Sequence, residues 1–515
     1  MHRNTLIQRY IVTLFASVMR SGINFTTAIL LARFLGPMDY GRMAFMVASL
    51  LAFKQLFDVA SSSAFFTFMS QKQRSQKFIK FYWCWVALQA SISILLVRWL
   101  VPEEMLSLVW GNEPRALILL ALLATFMQNT VWADVTQMAE AQRETLKIQI
   151  LTVLLVLVNL LVVCGLWWFN EIAIPLIFLA IVVEWGFASS IAFNLYKPYS
   201  KNFSEGHVAE DSYSAIFKKF IVFCLPLIPY VWVCFFHDLA DRLMLQKWGG
   251  TIEQAFYAVA QQFSAVVLLL TSTMLRILWK EVAEASQQKN STAVKAIYHR
   301  VTKLSFFMGS FLAGAFIPWS GEIVRLLLGA EYLGGTLALT IMFLYPIHQS
   351  LGQINGTMLY ATGRSRLQSV LGIFYMVFGS IVTYFLLAPA DALIPGLSMG
   401  SQGLAWKMVC VQVVAVNITS WFISREFGWK FEYRFQIKSL FSCICMSWVC
   451  QVIVESALGG IFPLAVTFAI TIALYGIAIS ALVFRYPEMI GVKRFEIVQV
   501  AKVLVSIFDK RFSRH

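Results

Sequence analysis

Charged residues are scarce in this chain. Of its 515 residues only 13% are Asp, Glu, Lys or Arg, whereas 59% are hydrophobic. A soluble domain is usually about a quarter charged and about half apolar. Because so many apolar residues cannot be buried in one core surrounded by water, the composition argues against a soluble enzyme. A helix needs about 20 apolar residues to cross a bilayer, so the chain has enough for about a dozen spans or slightly more.

The chain also lacks paired cysteines and a cleavable signal. All eight cysteines fall within apolar stretches, where cysteine acts as a small hydrophobic residue and not as part of a disulfide framework. The apolar stretch at 10–35 is too long for the core of a signal peptide and has no small-residue cleavage site, so it predicts a first membrane helix. A glycine-rich phosphate loop is missing as well, so we expect no direct use of ATP.

Long apolar runs, broken by charged or Gly/Pro-containing turns, make up most of the chain. They predict an all-α polytopic membrane protein with about fourteen transmembrane helices. The predicted spans are 8–32, 43–69, 78–101, 116–138, 147–169, 172–195, 218–246, 255–279, 303–320, 335–360, 367–389, 398–423, 438–457 and 461–484.

The 41 Lys and Arg residues are distributed unevenly between the breaks. If the N-terminus is cytoplasmic, 31 of them fall on the cytoplasmic side, 7 on the outer side and 3 within spans. Because positive residues favour the cytoplasmic side, we predict cytoplasmic N- and C-termini. The net charge of +14 is then mainly a topology signal, with some attraction to membrane lipids. We expect no nucleic-acid partner, because no basic and aromatic module stands outside the spans.

Two pairs of short segments suggest an internal repeat. Residues 31–36 resemble 239–244, and residues 138–143 resemble 359–364, at offsets of about 210 and 220 residues. Six predicted spans separate the copies, so both enter the membrane in the same direction. This predicts two six-helix lobes related by a pseudo-two-fold axis along the membrane normal. The predicted parts are an N-terminal lobe (1–195), a cytoplasmic linker (196–217), a C-terminal lobe (218–425), two extra transmembrane helices (426–484) and a basic cytoplasmic tail (485–515).

Several short motifs resemble those of polysaccharide flippases. Residues 32–37, Ala-Arg-Phe-Leu-Gly-Pro, with the Asp-Tyr-Gly at 39–41, look like the end of the first helix in O-antigen and exopolysaccharide flippases of the MOP (multidrug/oligosaccharidyl-lipid/polysaccharide) superfamily. Further similar motifs occur at 226–229, 241–242, 257–260, 361–364 and 403–405. The resemblance covers most of residues 1–425. O-antigen flippases of this family usually have twelve spans, whereas this sequence predicts fourteen.

The resemblance implies a function and a location. It implies a V-shaped, two-lobed carrier that flips a polyprenyl-diphosphate-linked oligosaccharide across a bacterial inner membrane, for cell-surface polysaccharide biosynthesis. Cytoplasm-facing and outward-facing states would alternate around a central cavity. A polysaccharide polymerase and chain-length machinery are further partners that this function implies.

Three ionisable residues in the first two spans are candidates for the cargo site. Arg20 lies ~18 Å from the inner end of the first span and Lys54 ~17 Å from the outer end of the second, so both are near the middle of a core ~30 Å thick. Asp58 follows Lys54 by four residues and shares its helix face. The cations suit a diphosphate, since Arg offers a bidentate fork and Lys a point charge. The alternative is structural: Lys54 and Asp58 neutralise each other, and Arg20 bonds to backbone or to another acid.

Four further ionisable residues complete the candidate set. Asp134 and Glu184 lie in the fourth and sixth spans and are candidates for H⁺ or Na⁺ coupling, or else ion-pair partners of the cations. Lys407 lies in the twelfth span and is a third cation for the central cavity. Arg276, near the inner end of the eighth span, could meet an entering phosphate, but a snorkelling interfacial arginine is the favoured interpretation. We expect no catalytic residues, no metal site and no cofactor beyond an ion gradient.

Three functions are therefore compared. The favoured one is a lipid-linked oligosaccharide flippase. The second is a cation-coupled multidrug exporter of the same superfamily; such exporters tend to carry a carboxylate in the first helix, whereas this first helix carries Arg20 and no acid. The third is a membrane-embedded polysaccharide polymerase or ligase, which needs a catalytic loop on the outer face. The predicted outer loops are short and hold no cluster of His, Asp and Glu of catalytic type.

Overall fold

The computed structural model describes residues 2–71, 74–111, 113–195, 212–288, 290–458 and 462–492. Within these segments the regular elements are helices, and no strand occurs. The prediction of an all-α polytopic membrane protein is confirmed. The α-helices are α1 (His2–Asp58), α2 (Ser61–Gln71), α3 (Gln76–Leu95), α4 (Glu103–Trp110), α5 (Arg115–Phe126), α6 (Trp132–Ala141), α7 (Thr145–Trp168), α8 (Ile174–Leu195), α9 (Tyr213–Cys224), α10 (Ile228–Trp248), α11 (Gly250–Gln287), α12 (Ser291–Phe316), α13 (Ser320–Leu327), α14 (Thr336–Met342), α15 (Tyr345–Ala361), α16 (Ser365–Leu387), α17 (Gly400–Glu426), α18 (Arg434–Leu458) and α19 (Leu464–Arg485).

Twelve helical segments in the described part of the chain are long and apolar enough to cross a membrane. The first of them, Phe15–Asp58, has 44 residues. At 1.5 Å per residue it is about 66 Å long, roughly twice the thickness of a bilayer core. It contains two helices that meet at Gly36, where φ is 72° and ψ is 170°. Pro37 follows at the start of the second helix, where its missing N–H costs little. The sequence predicted a separate turn here, and the structure narrows that turn to Gly36.

Each of the fourteen predicted spans falls on helix in the structure. The two halves of Phe15–Asp58 correspond to the first two predicted spans. Helix α11, which is not among the twelve segments, covers the eighth predicted span and has 38 residues. The main difference lies in the second predicted span, 43–69. Helix α1 ends there at Asp58, and α2 begins three residues later.

The chain divides into two compact units. Unit 1 comprises residues 1–259 and 376–404, and unit 2 comprises residues 260–375 and 405–515. The domain boundaries inferred from the internal repeat, including the linker and the pseudo-two-fold axis, stay predictions.

The core of unit 1 is aromatic where α2, α3 and α9 meet. Phe65 and Tyr82 stack with ring centroids 3.9 Å apart, and Phe220 stacks on Phe78 at 5.5 Å. All four side chains are buried. Aromatic pairs of this kind add to the stabilisation that burial alone supplies. These stacked rings hold α3 in the orientation in which Tyr82 faces α2.

The core of unit 2 depends on close approach between α12, α18 and α19. A Cβ atom on Gly314 would lie 2.5 Å from the Tyr475 hydroxyl oxygen and 2.9 Å from the Cys443 carbonyl oxygen. The Tyr475 hydroxyl donates a hydrogen bond to the Phe311 carbonyl oxygen at 3.1 Å. Small residues let membrane helices pack at this distance. The last two transmembrane helices are thus packed directly on α12.

Candidate functional site

Asp58 lies at the break between α1 and α2. Its carboxylate accepts hydrogen bonds from the Ser61 hydroxyl at 2.8 Å, the Ser62 backbone N–H at 3.0 Å and the Ser62 hydroxyl at 2.9 Å. Val59 and Ala60 between them have φ values of 48° and 61°. Non-glycine residues rarely adopt this conformation, so the surrounding contacts must hold the turn. Asp58 therefore acts as the N-terminal cap of α2.

Lys54 has a different partner. Its ammonium group donates to the backbone carbonyl oxygen of Asn129. Asn129 lies in a π-helical segment, Met127–Val131, between α5 and α6, and such segments interrupt the regular pattern of backbone hydrogen bonds. Among the residues that the structure describes, Lys54 and Asp58 form no ion pair with each other. The interpretation that these two residues neutralise each other through direct contact is therefore wrong.

Asp134 is a buried acid on α6. Its side chain is 1% exposed and accepts a hydrogen bond from the Tyr82 hydroxyl at 2.9 Å. The charges of both Lys54 and Asp58 act on this carboxyl group. The structure thus brings Lys54, Asp58 and Asp134 into one region of unit 1.

A cavity of about 360 Å³ opens beside this region. Asp58 and Ser61 line one side of it together with Tyr82 and Trp85. Residues of α9 and the start of α10 form an apolar side, among them Phe217, Phe220, Ile221, Cys224, Leu225 and Ile228. The cavity therefore combines one carboxylate with aromatic and aliphatic walls.

Ser61 links the cap to α3. Its hydroxyl donates to Asp58 and accepts from the Trp85 indole N–H at 3.0 Å and from the Gln89 amide at 3.3 Å. Gln89 is 4% exposed. Buried polar groups in a membrane span need internal partners, because lipid offers none. We call Asp58, Ser61, Ser62, Trp85 and Gln89 the Asp58 network.

Arg20 contrasts with the residues of this network. It is half-buried on α1, between buried Ala16 and Thr27 on the same helix face. It forms no hydrogen bond or ion pair with any residue that the structure describes. An arginine within a membrane span is expensive and usually has a partner. Arg20 is therefore the candidate whose guanidinium is available for an anionic ligand.

Glu184 lies apart from the Asp58 network. One carboxylate oxygen accepts a hydrogen bond from the Asn159 amide at 2.8 Å, which joins α8 to α7. The other oxygen is buried and has no hydrogen-bond partner among the described residues. Neighbouring Val183 and Phe187 are well exposed, as expected for a lipid-facing surface. Within the described residues, no hydrogen bond or ion pair joins Glu184 to Lys54, Asp58 or Asp134.

The two remaining candidates lie in unit 2. Lys407 is on α17 and is 1% exposed. Arg276 is on α11, but its side chain lies outside the part of the chain whose side chains the structure describes. The assignment of both residues to a central cavity stays a prediction.

Comparison with known proteins gives a fold. No protein-family profile and no curated protein sequence matches the chain. Among solved structures, the lipid II flippase MurJ in an inward closed conformation is similar with a TM-score of 0.66 and 14% identity, over 92% of this chain and 99% of the flippase. A multidrug resistance MATE family transporter of the MOP superfamily, in an inward-facing conformation, has a TM-score of 0.60 and 15% identity, over 81% of this chain and 98% of the transporter. A MOP superfamily transporter from Pyrococcus furiosus has a TM-score of 0.56 and 12% identity, over 82% of this chain and 95% of its own.

The chain has the fold of MOP superfamily transporters. The three structures differ in how much of this chain they cover, since the flippase matches 92% and the two others 81% and 82%. The two structures of MOP superfamily transporters thus match about four fifths of this chain, and the flippase matches nearly all of it.

Several residues of the Asp58 network, and the partner of Asp134, could not be predicted from the sequence. Tyr82, Trp85 and Gln89 stand in an apolar span and carry no charge. A buried carboxylate needs a donor, so Asp134 did indicate that a hydroxyl or amide must lie nearby, but not which one. The partner of Lys54 is a backbone carbonyl in a π-helical segment, and no side-chain pattern reveals it.

Proposed function

We propose that this chain is a transporter of the MOP superfamily that flips a polyprenyl-diphosphate-linked oligosaccharide across a bacterial inner membrane, for cell-surface polysaccharide biosynthesis. The observation that carries the proposal is the extent of the match to the lipid II flippase, 92% of this chain and 99% of that one. The MATE family structure covers 81% of this chain. A lipid-linked cargo fits the flippase comparison better than a small molecule does.

Arg20 supports an anionic cargo. A diphosphate carries several oxygen acceptors, and a guanidinium group binds two of them at once. Arg20 is available for this role because it has no partner among the described residues. The Lys54 ammonium group already donates to the Asn129 carbonyl oxygen, so its share in cargo binding is expected to be smaller. Lys407 and Arg276 are proposed as further cations on the path of the diphosphate.

The experiment measures flipping of a fluorescent polyprenyl-diphosphate oligosaccharide in proteoliposomes that contain the purified full chain. We expect Arg20→Ala to abolish flipping and Arg20→Lys to retain part of it, since lysine keeps the charge but not the fork. Arg366→Ala is the matched control, because Arg366 is an exposed arginine with no partner among the described residues. Wild-type flipping by Arg20→Ala, at equal protein incorporation, would remove Arg20 from the mechanism.

A cation-coupled multidrug exporter is the second candidate. It is favoured by the TM-score of 0.60 to a MATE family transporter and by the carboxylates in predicted spans of the N-terminal lobe, at Asp58, Asp134 and Glu184. Uptake of a cationic dye into the same proteoliposomes, driven by an H⁺ or Na⁺ gradient, separates the candidates. Dye transport without flipping of the lipid-linked oligosaccharide would select the exporter. A polymerase or ligase is the least favoured alternative and predicts a longer glycan product, which gel analysis of the same vesicles detects.

The orientation is part of the proposal. Cytoplasmic N- and C-termini would leave residue 200 in the cytoplasm and residue 250 outside. Reporter fusions after these two positions test this directly, and equal signals from both would contradict it. Accumulation of lipid-linked repeat units in a strain that lacks the gene would test the cargo in the cell, together with its polymerase and chain-length partners.

A further inference from the structure

A second, larger cavity lies in unit 2 where α18 begins and α19 ends. Its volume is about 670 Å³. Helices α18 and α19 are consecutive candidate membrane spans packed against each other. The start of the first and the end of the second must therefore lie at the same membrane surface, and the cavity opens at that level. This holds for either orientation of the chain.

The cavity is lined by four cations and two carboxylates. The cations are Lys303, Lys430, Arg434 and Lys438, and the carboxylates are Glu432 and Glu488. Of these four cations, Lys303 forms an ion pair within the cavity lining, because its ammonium nitrogen lies 2.8 Å from a Glu432 carboxylate oxygen.

The Lys303–Glu432 pair is charged at neutral pH. Partial burial alone would raise the pKa of Glu432, but the hydrogen bond from Lys303 and the nearby positive charges outweigh it and lower that pKa below its usual value. Glu432 thus offsets Lys303. The other three cations are exposed and have no hydrogen-bond or ion-pair partner among the residues that the structure describes.

The position of two of these cations is unfavourable in the protein alone. Arg434 and Lys438 are four residues apart on α18, so their like charges lie on one helix face. Both are also close to the N-terminus of the helix, whose dipole repels cations. The described first turn of α18 contains no acidic residue to compensate. An anion bound between them would reverse both effects.

The rest of the cavity lining is mostly aromatic and aliphatic, with hydroxyl groups from Ser442 and two tyrosines. Phe435, Leu482 and Met489 line it beside the cations. Phe435 is held in place by Phe306, with ring centroids 5.5 Å apart in an edge-to-face arrangement. The cavity therefore offers cations for an anionic group and apolar side chains for a hydrocarbon group, and it lies at a membrane surface. A glycerophospholipid has both groups, because its phosphate is attached to glycerol and acyl chains.

We propose that this cavity binds the phosphate of an anionic glycerophospholipid headgroup from the adjacent leaflet. Arg434, Lys438 and Lys430 contact the phosphate, and Phe435, Leu482 and Met489 contact the glycerol and the first part of the acyl chains. The site is separate from the cargo and does not depend on the proposed flippase activity.

Topology alone does not explain this arrangement. Positive residues near a cytoplasmic surface set the orientation of a membrane protein, but that effect requires neither a cavity nor a helix N-terminus shared by two cations. Arg366 provides the comparison, because it is an exposed arginine in the first turn of α16 and does not line the cavity.

The test is native mass spectrometry of the purified full chain in detergent, titrated with phosphatidylglycerol and, in parallel, with phosphatidylcholine of the same acyl chains. We expect the wild-type chain to retain phosphatidylglycerol preferentially. Each cation near a membrane surface contributes on the order of a threefold to tenfold preference for anionic lipid, so Arg434→Gln combined with Lys438→Gln should weaken phosphatidylglycerol binding about tenfold or more. Lys430→Gln should weaken it less, and Arg366→Gln should leave it unchanged.

Several outcomes would overturn the assignment. Equal retention of phosphatidylcholine would show that charge is not recognised. Equal losses in the double variant and in Arg366→Gln would show a general effect of net charge. Retention of inorganic phosphate or glycerol 3-phosphate without retention of the lipid would assign the cavity to a free anion instead. The thermal unfolding temperature of each variant without lipid checks that its fold is intact, and Lys430→Gln tests the site should the double variant unfold.

Discussion

The charged residues in unit 1 and those around the cavity in unit 2 differ in how they are neutralised. In unit 1, Asp58 caps a helix, Lys54 binds a backbone carbonyl and Asp134 accepts from a tyrosine. In the unit 2 cavity, Arg434 and Lys438 have no partner among the described residues. Charges inside a membrane span must be satisfied by the protein itself, whereas charges at its surface can be satisfied by a ligand or by water. The number of charges in a region is thus a poor guide to its function, and the presence of partners is a better one.

Arg20 is the exception among the candidate site residues of unit 1, because it has no partner among the described residues, and it gives the largest expected effect. If partner status distinguishes ligand-binding from structural charges, Arg20→Ala should lower the flipping rate far more than Lys54→Ala. A charged hydrogen bond contributes about 1.5–3 kcal/mol, so loss of one bond to the diphosphate slows flipping at least about tenfold, and loss of both abolishes it. Proteoliposome flipping rates at matched protein content measure the difference. A larger loss in Lys54→Ala would contradict the comparison.

Asp58 should affect stability more than cargo binding. Asp58→Ala removes the cap of α2, and loss of a cap costs about 0.5–2 kcal/mol. Asp58→Asn keeps a side-chain oxygen that accepts from the Ser62 N–H, so it should retain most of the stability. The thermal unfolding temperature in detergent, measured by intrinsic fluorescence, compares the two variants. Equal unfolding temperatures for Asp58→Ala and wild type would show that the cap is dispensable.

Asp134 tests whether a buried charge with a partner serves stability, because its carboxylate accepts a hydrogen bond from Tyr82. Asp134→Leu would leave the Tyr82 hydroxyl buried without an acceptor, at an expected cost of about 1–3 kcal/mol. Combining it with Tyr82→Phe should recover much of that loss, because the donor is then gone as well. A double-mutant cycle of unfolding temperatures measures the coupling. Additive effects of the two substitutions would show that the 2.9 Å contact contributes nothing to stability.

The fold could largely be predicted from the sequence, whereas the partners of the charged residues could not. The lengths of apolar runs define the spans, because bilayer thickness sets the length of a membrane helix. Gly36 and Pro37 marked the first break correctly. The break at Val59 and Ala60, which have positive φ values, was missed because both residues are apolar and carry no glycine or proline turn signal.

The candidate site shows the same limit. Lys54 and Asp58 are four residues apart, which on a continuous helix predicts a contact. The helix instead ends at Asp58, and the carboxylate turns to the N–H group of Ser62. The direct pairing of Lys54 with Asp58, which was one of the two alternatives from the sequence, is therefore absent from the described residues. Conversely, Lys430, Arg434 and Lys438 counted only as topology signals in the sequence, because a cavity forms only when α12, α18 and α19 pack together.

Glu432→Gln, which breaks the ion pair between Lys303 and Glu432, should have the smallest effect of these substitutions. Because the pKa of Glu432 is lowered in the folded protein, its contribution to stability is present above the usual glutamate pKa and is lost as the pH falls through the folded-state value. Wild type should therefore lose slightly more stability between neutral and acidic pH than Glu432→Gln does. The same substitution frees Lys303 as a fourth unpaired cation of the cavity, so Glu432→Gln should bind phosphatidylglycerol a few-fold more tightly at neutral pH. Unfolding temperatures across the pH range and lipid titration of the same two proteins measure both effects. Weaker lipid binding by Glu432→Gln would mean that the ion pair positions Lys303 for the phosphate and does not compete with it.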